Sequence, residues 1–215
     1  LLSICLVFTT KIFTQSVDLE TRLFELADVS FQKIETEIGY AACYELKVKQ
    51  ALDHNNPSLG HFYQKVYLTH KGFDRPTVIV TEGYNRDKNR IYELTNLVEG
   101  NQIQVEHRFF GESLPDSLDY QFLDLEQATA DLHHIRTLFD DLYTGKWLST
   151  GISKGGSTTI FYRYFYPEDV DVSVPYVAPI NRSFEDQRIY KFLDQVGTKE
   201  CRDKIMDFQI SLFES

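Results

Sequence analysis

The sequence predicts an α/β fold with a mainly parallel sheet behind an antiparallel start. Two alternating segments at 44–52 and 62–70 flank a turn-rich loop, a pattern typical of an antiparallel hairpin. The run at 76–84 (PTVIVTEGY) is almost continuously apolar until Gly83, as in a strand buried on both faces. The stretch at 124–143 spaces apolar residues three and four apart, which indicates an amphipathic helix.

The remaining elements follow along the chain. A first helix is predicted at 18–26, and a linker follows it to residue 38. The other predicted elements are a helix at 88–100, a short strand starting at 101, a strand at 146–151, a helix at 157–166, a strand at 170–179 and amphipathic helices over 183–208. We therefore expect three parts: a partial leader over 1–16, the N-terminal part of an α/β domain over 17–180, and the start of a helical cap over 181–215.

Composition and charge exclude several classes of function. The 215 residues, 42% apolar and 25% charged, fit one folded globular domain. The net charge of −10 argues against nucleic-acid binding, because the phosphate backbone favours a basic protein face. Neither the cysteines nor the adjacent pair His133-His134 has the spacing of metal ligands. We expect no cofactor, no metal ion and no nucleic-acid partner.

The N-terminus predicts an exported protein. Residues 1–8 form an apolar run that is too short to span a bilayer and matches the core of a signal peptide, with a leader end near Ser16. A buried N-terminal strand is the alternative. Export predicts a secreted or periplasmic protein with no membrane span in its mature form. In an oxidising compartment Cys43 and Cys201 are able to pair, and two buried unpaired thiols are the equally weighted alternative.

The pentapeptide GISKG at 151–155 matches the G-x-S-x-G nucleophile elbow of α/β-hydrolases. In this motif a strand turns sharply into a helix, so that the serine hydroxyl projects from the sheet and the glycines leave room for neighbouring backbone. A predicted strand precedes the motif and a predicted helix follows it, as the chemistry requires. A glycine-rich turn that merely links the two is the alternative. The motif predicts Ser153 as a nucleophile.

An oxyanion hole beside this serine needs two backbone donors. The N–H of Lys154, just after the nucleophile, is predicted to be the first. The second is expected from the loop after an earlier strand, where Gly83 or Tyr84 is the candidate. An ordinary turn glycine is the alternative at Gly83.

Several blocks of the sequence, in the same order, carry a resemblance to a known family. The segments EHRFFGES at 106–113 and GISKGG at 151–156, followed by YRYFYPEDVDVSVPYVAP at 162–179, resemble the Streptomyces-type prolyl tripeptidyl aminopeptidases. The chain is more distantly similar to the lysosomal Pro-Xaa carboxypeptidase and dipeptidyl peptidase group. The resemblance extends from about Cys43 to FLDQVGTKECR at 192–202. It implies an α/β-hydrolase with a helical cap and a Ser-Asp-His triad that removes short peptides from free N-termini, often after proline.

The resemblance has consequences for individual residues. By motif match Ser153 is the triad serine, and no triad aspartate or histidine is carried over. An aminopeptidase has to hold the ammonium group of its peptide substrate, for which buried carboxylates are suited. Glu82 and Glu106, at predicted strand ends near the serine, are the candidates for this binding. A structural ion pair with Arg108 is the alternative for Glu106.

The histidines depart from the pattern of the family. In α/β-hydrolases the triad follows the order Ser, Asp or Glu, then His, whereas all six histidines here precede Ser153. A serine without a base is a poor nucleophile. The chain is therefore either a fragment, with its triad Asp and His expected beyond residue 215, or an inactive relative. The lack of a leader Met and the end inside a helix favour the fragment, which alone is expected to be inactive.

Three further interpretations stay open. His107 lies beside Glu106 and is a conceivable base, although its block matches a structural segment of the family and favours support of the cleft. An esterase or lipase uses the same elbow, but the charged stretch at 184–195 is less apolar than a lipase cap. A catalytically inactive peptide-binding relative is the third. A histidine after the last strand of the sheet separates an enzyme from a binding protein.

Overall fold

The structure is a computed structural model that describes residues 18–214, so the predicted leader over 1–16 lies outside the described residues. The chain divides into two compact units, the first ending at Pro179 and the second starting at Ile180. In the described part of the chain, no helix is both long and apolar enough to cross a bilayer.

The first unit contains one sheet, which has seven strands within residues 18–214. The strands are β1 (Val29–Ile34), β2 (Ala42–Ala51), β3 (His61–His70), β4 (Thr77–Thr81), β5 (Asn101–Val105), β6 (Trp147–Ile152) and β7 (Val172–Tyr176). They lie in the order β1-β2-β3-β5-β4-β6-β7. The pairs β1–β2, β2–β3 and β3–β5 are antiparallel, whereas β5, β4, β6 and β7 run parallel. The predicted parallel sheet with an antiparallel start is confirmed.

Four helices cover the two faces of this sheet in the described residues. They are α1 (residues 18–25), α2 (Glu93–Leu97), α3 (Leu125–Leu138) and α4 (Lys154–Phe165). The Asp124 side chain caps α3 by accepting from the N–H of Gln127 at 2.8 Å, which explains why the helix starts there. One apolar core joins the sheet to α1, α3 and α4, and a smaller one joins it to α2.

Strand β4 shows why its sequence is almost continuously apolar. Ile79 packs into the core that contains α3 and α4, while Val78 and Val80 pack into the core that contains α2. All five residues of the strand are buried. The prediction of a strand buried on both faces is therefore confirmed.

Two elements differ from the sequence-based expectation. Residues 29–34, expected within a linker, form the edge strand β1, in which only Val29, Phe31 and Ile34 are half-buried, so its apolar signal is weak. Helix α2 is shorter than the predicted 88–100. The side chain of Gln102 on β5 explains this, because it accepts from the Tyr92 N–H at 2.9 Å and donates to the Arg90 carbonyl at 2.8 Å, which holds the preceding chain extended.

The second unit contains two helices in its described residues, α5 (Gln187–Leu193) and α6 (Lys199–Phe213). Gly197, with φ of 69°, separates them, and the Thr198 side chain caps α6 by accepting from the Cys201 N–H. The helical character predicted for 183–208 is confirmed. Cys43 and Cys201 are free thiols in the structure: Cys43 is buried in β2, and Cys201 is exposed on α6.

Candidate active site

The candidate residues gather at one edge of the sheet. The parallel strands β4, β5 and β6 end at Thr81, Val105 and Ile152. Residues that directly follow parallel strands meet at the carboxyl edge, where ligands of α/β folds bind. The candidates named from the sequence therefore come together there: Glu82, Gly83 and Tyr84 after β4, Glu106 and His107 after β5, and Ser153 and Lys154 after β6.

Ser153 occupies a strained turn between β6 and α4. Its φ of 56° and ψ of −121° lie in a region that residues with a Cβ rarely adopt. Its N–H donates to the Tyr176 carbonyl at 3.0 Å, and its carbonyl accepts from the Ser157 N–H at 3.0 Å. The side chain is exposed. The predicted placement of Ser153 in a strained strand-to-helix turn is confirmed.

The two glycines of the motif let β4, β6 and α4 approach closely. A Cβ on Gly155 would overlap with the carbonyl oxygen of Thr81, and one on Gly151 would overlap with the carbonyl of Gly155. The Thr81 hydroxyl holds β4 against α4, because its Oγ1 lies 2.7 Å from the Gly155 carbonyl oxygen and 2.7 Å from Oγ1 of Thr159. The motif requires glycine at both positions for this steric reason.

The loop after β4 packs directly on the start of α4. A Cβ on Gly83 would lie 2.6 Å from Cβ of Lys154 and 2.9 Å from the amide nitrogen of Gly155. Nζ of Lys154 donates to the Gly83 carbonyl oxygen at 2.7 Å. Lys154 is the first residue of α4, so its N–H has no partner within the helix and is available to a ligand. Tyr84 is exposed.

Burial shifts the pKa values of two groups at this edge of the sheet, Lys154 and His107. Burial lowers the pKa of Lys154 to about 8. Burial also lowers the pKa of His107 to about 4, and the positive charge of Lys154 adds to that effect. His107 is therefore neutral at pH 7 and makes a hydrogen bond of 2.9 Å between Nδ1 and the carbonyl of Arg108.

Both carboxylate oxygens of Glu106 accept hydrogen bonds from other groups of the protein. Oε1 accepts from the Arg86 N–H at 2.7 Å. Oε2 accepts from the N–H groups of Glu112 and Ser113, both at 3.0 Å, and from the Ser113 hydroxyl at 2.7 Å. Glu106 is 1% exposed. Since a carboxylate offers about four lone-pair sites, this geometry favours an architectural role that joins two loops.

Glu82 also has partners, but it keeps access to solvent. Its Oε1 accepts from the Tyr92 hydroxyl at 2.7 Å and from Gln104 at 2.8 Å, and its Oε2 pairs with Arg86 at 2.6 Å. Its side chain is 11% exposed. Of the two glutamates, Glu82 is the more exposed, since Glu106 is 1% exposed.

Arg108 pairs with an aspartate that the sequence reading did not single out. The expected alternative, an ion pair of Arg108 with Glu106, is wrong. The Arg108 guanidinium instead makes two hydrogen bonds of 2.8 Å to Asp131 on α3, and both side chains are fully buried. His54 bonds to the same carboxylate at 2.7 Å.

The histidines of this chain have partners away from Ser153. In residues 18–214, no hydrogen bond joins a histidine ring to the serine. The observed ring contacts are His54 with Asp131, His61 with Tyr63, His70 with Tyr143, His107 with the Arg108 carbonyl, His133 with Asp169 and His134 with Gln50. The part of the chain that the structure describes also holds no group of three His, Cys, Asp or Glu side chains arranged for a metal ion.

Comparison with known proteins shows the family. The family model for the PS-10 peptidase S37 family matches residues 13–213. The chain belongs to this family. The PS-10 peptidase S37 chain is 38% identical over 201 residues to a prolyl tri/tetrapeptidyl aminopeptidase of Streptomyces mobaraensis, which covers 93% of this chain and 42% of that protein. It is also 36% identical over 107 residues to the serine protease vicPb of Bipolaris victoriae, covering 42% of this chain and 20% of that protein.

Comparison with solved structures shows the fold of this chain. Acetyl xylan esterase 1 of Thermoanaerobacterium sp. superposes with a TM-score of 0.52 at 15% identity, over 88% of this chain and 64% of that chain. An acetyl xylan esterase of Paenibacillus sp. R4 gives a TM-score of 0.50 at 10% identity, over 83% and 60%. The chain has the α/β-hydrolase fold. It spans about two fifths of the Streptomyces relative that it matches.

Proposed function

We propose that the full-length protein is a secreted serine peptidase that removes tripeptides or other short peptides from free N-termini through an acyl-enzyme on Ser153. The observation that carries this proposal is the strained, exposed serine at the elbow of a PS-10 peptidase S37 chain. The aminopeptidase mode is supported by the name of the Streptomyces relative.

The geometry supports the following chemistry. Oγ of Ser153 attacks the scissile carbonyl carbon and transfers its proton to a general base. The carbonyl oxygen becomes an oxyanion that accepts from the Lys154 N–H and from one N–H of the loop after β4. Collapse of the intermediate breaks the peptide bond and releases the amine, which takes the proton from the base. Water then hydrolyses the acyl-enzyme by the same steps.

The general base in this proposal is a residue other than the six histidines of this chain. His107 follows β5 at the same edge of the sheet, but its hydrogen bond to the Arg108 carbonyl and its pKa of about 4 describe a buried neutral histidine. A base that accepts the serine proton at neutral pH needs a pKa nearer to 7. His107 fits the structural support of the cleft that the family block predicts.

Glu82 is proposed to bind the ammonium of the free N-terminus. Its side chain is 11% exposed beside the elbow, and its carboxylate pairs with Arg86 at 2.6 Å, so the ammonium has to share this carboxylate with Arg86. The experiment compares a tripeptide p-nitroanilide with its N-acetylated form on the full-length protein. Loss of a charge-assisted contact is expected to lower kcat/KM of the acetylated form by about 10- to 100-fold.

Two variants separate the parts of this proposal. Glu82→Gln is expected to reduce the ratio of kcat/KM between the free-amine and the acetylated substrate. Glu106→Gln is expected to leave this ratio unchanged and to lower the thermal stability of the protein. Ser153→Ala is expected to abolish turnover of both substrates. Equal rates on the two substrates would contradict the aminopeptidase mode, and rapid turnover of p-nitrophenyl acetate without anilide cleavage would point to an esterase.

Export is the remaining part of the proposal, and it rests on the apolar run at residues 1–8. Expression in the native host followed by fractionation is expected to place the protein outside the cytoplasm. N-terminal sequencing should then find a mature chain that starts near residue 17. A cytoplasmic protein that retains residues 1–16 would contradict export and leave the peptidase proposal intact.

A further inference from the structure

The side chain of Lys154 is held in an unusual environment. Its Nζ lies 5.3 Å from the ring centroid of Tyr84 and 5.1 Å from that of Phe110, and it donates to the Gly83 carbonyl at 2.7 Å. Burial is the cause of its altered pKa, and among the described residues no carboxylate forms an ion pair with it. A partly buried ammonium normally has an anionic partner. Here one carbonyl oxygen and two aromatic faces take that place.

This contact fixes the orientation of one particular peptide unit. The described chain contains no cis peptide bonds, so the Gly83 carbonyl and the Tyr84 N–H belong to one planar trans unit and point in opposite directions. An ammonium that holds the carbonyl on one side therefore sets the direction of the N–H on the other side. Within residues 18–214 no backbone oxygen accepts from this N–H, which leaves it available to a ligand.

Two nearby peptide units, Thr81–Glu82 and Tyr84–Asn85, are held by backbone hydrogen bonds. The His107 N–H donates to the Tyr84 carbonyl at 3.2 Å, and the Glu82 N–H donates to the Val105 carbonyl at 3.3 Å. The Gly83 amide nitrogen lies close to Gly155, because a Cβ built on Gly155 would be 3.4 Å from it, and within residues 18–214 no backbone oxygen accepts from its N–H. Glycine leaves the peptide after it free to rotate, so the Lys154 contact supplies the missing restraint.

We propose that Lys154 is a positioning residue whose ammonium orients the Gly83–Tyr84 peptide, so that the Tyr84 N–H serves as the second donor to the oxyanion formed on attack by Ser153. The inference rests on the proposed serine-peptidase function. Lys154 then has two roles: its backbone N–H is one donor to the oxyanion, and its side chain orients the second donor, the Tyr84 N–H.

The inference predicts a specific kinetic signature. The substrate carbonyl gains its negative charge only after attack, so a misdirected donor affects the transition state more than substrate binding. Lys154→Met keeps an unbranched side chain and removes the ammonium. In the full-length protein it is expected to lower kcat on a peptide anilide by about 100-fold, the scale of losing one oxyanion donor. KM should change by less than about threefold.

Inhibitors and chemical rescue separate this role from a merely structural one. A peptide aldehyde, which forms a tetrahedral adduct with the serine, should lose affinity in parallel with kcat, whereas the product peptide should not. Lys154→Cys should behave like Lys154→Met, and alkylation with 2-bromoethylamine, which rebuilds a lysine-like amine, should restore activity. Wild-type protein treated with the same reagent controls for the native thiols. Lys146→Met, at an exposed lysine before β6, controls for loss of a positive charge.

Each outcome decides the inference. Unchanged kcat in Lys154→Met, equal loss of aldehyde and product affinity, or no recovery after alkylation would overturn it. Collapse of the fold in both variants, seen by circular dichroism, would also overturn it and make Lys154 a structural lysine. If the wild-type protein shows no hydrolysis that depends on Ser153, the proposed function itself fails. An active wild type with an equally active Lys154→Met variant removes only this inference.

Discussion

Breaking the buried pair between Arg108 and Asp131 is expected to destabilise the full-length protein strongly. Both side chains are 0% exposed, and two hydrogen bonds of 2.8 Å join them. The guanidinium also donates to the carbonyls of Ala51, Leu52 and Phe122, so it has no path to solvent when its anion is removed. Asp131→Asn keeps the shape and removes the charge, and breaking such a pair costs about 3–5 kcal/mol.

The assay is urea unfolding followed by circular dichroism, with Asp140→Asn as the matched control. Asp140 pairs with Arg136 at 2.6 Å, but its side chain is 64% exposed, so the control should lose less than about 1 kcal/mol. A loss below about 1 kcal/mol in Asp131→Asn itself would refute the reasoning, because the pair would then carry no more than a surface ion pair.

The same pair predicts a pH dependence. Burial alone would raise the pKa of Asp131, but the charge and hydrogen bonds of Arg108, with a contribution from His54, lower it. A carboxyl whose pKa is lower in the folded state stabilises the fold above its unfolded pKa of about 3.9 and loses that contribution as the pH falls. The stability gap between wild type and Asp131→Asn should therefore be full at pH 7 and shrink below about pH 4. A gap that stays constant down to pH 2 would contradict this.

Two further predictions concern the junction beneath the elbow. Gly155→Ala would push a methyl group into the Thr81 carbonyl and should cost about 1–3 kcal/mol of unfolding free energy, whereas Gly72→Ala, which meets only flexible side chains at 3.3 Å, should stay within about 0.5 kcal/mol. Thr81→Val removes a buried hydroxyl between two strands and α4, so it should cost about 1–3 kcal/mol, against less than about 0.5 kcal/mol for Thr137→Val on an exposed face of α3. Urea midpoints measure all four, and equal losses in each pair would contradict the steric and hydrogen-bond arguments.

Much of the fold was readable from periodicity. The two alternating segments at 44–52 and 62–70 pair as the expected hairpin, and the apolar run of β4 and the stripe of α3 match their burial, although β3 is buried on both faces from Gln64 to His70. The edge strand β1 was missed because only three of its side chains are partly covered. The start of α2 was misplaced because glutamine side chains of β5, which lie about ten residues farther along the chain, hold residues 90–92 extended.

The candidate site was predictable where a local motif reports it. Ser153 and its glycines follow from steric needs that lie within five residues. Two contacts join residues that are far apart in the sequence: Arg108 and Asp131 are 23 positions apart, and Lys154 and Gly83 are 71 positions apart. A local sequence pattern therefore does not predict either contact. A buried-looking stretch with a charged residue, such as ATADLHH around Asp131, was the available signal for the first. For the second, the lysine directly after the motif serine was visible, but its orientation was not.

The central claim is that Ser153 is the nucleophile of this α/β-hydrolase. The most direct measurement is covalent labelling of the full-length protein with a fluorophosphonate, followed by peptide mass mapping. We predict one adduct, on Ser153, which Ser153→Ala abolishes while Ser58→Ala, at an exposed serine in the β2–β3 loop, retains it. An adduct on another serine, or labelling that persists in Ser153→Ala, would contradict the account.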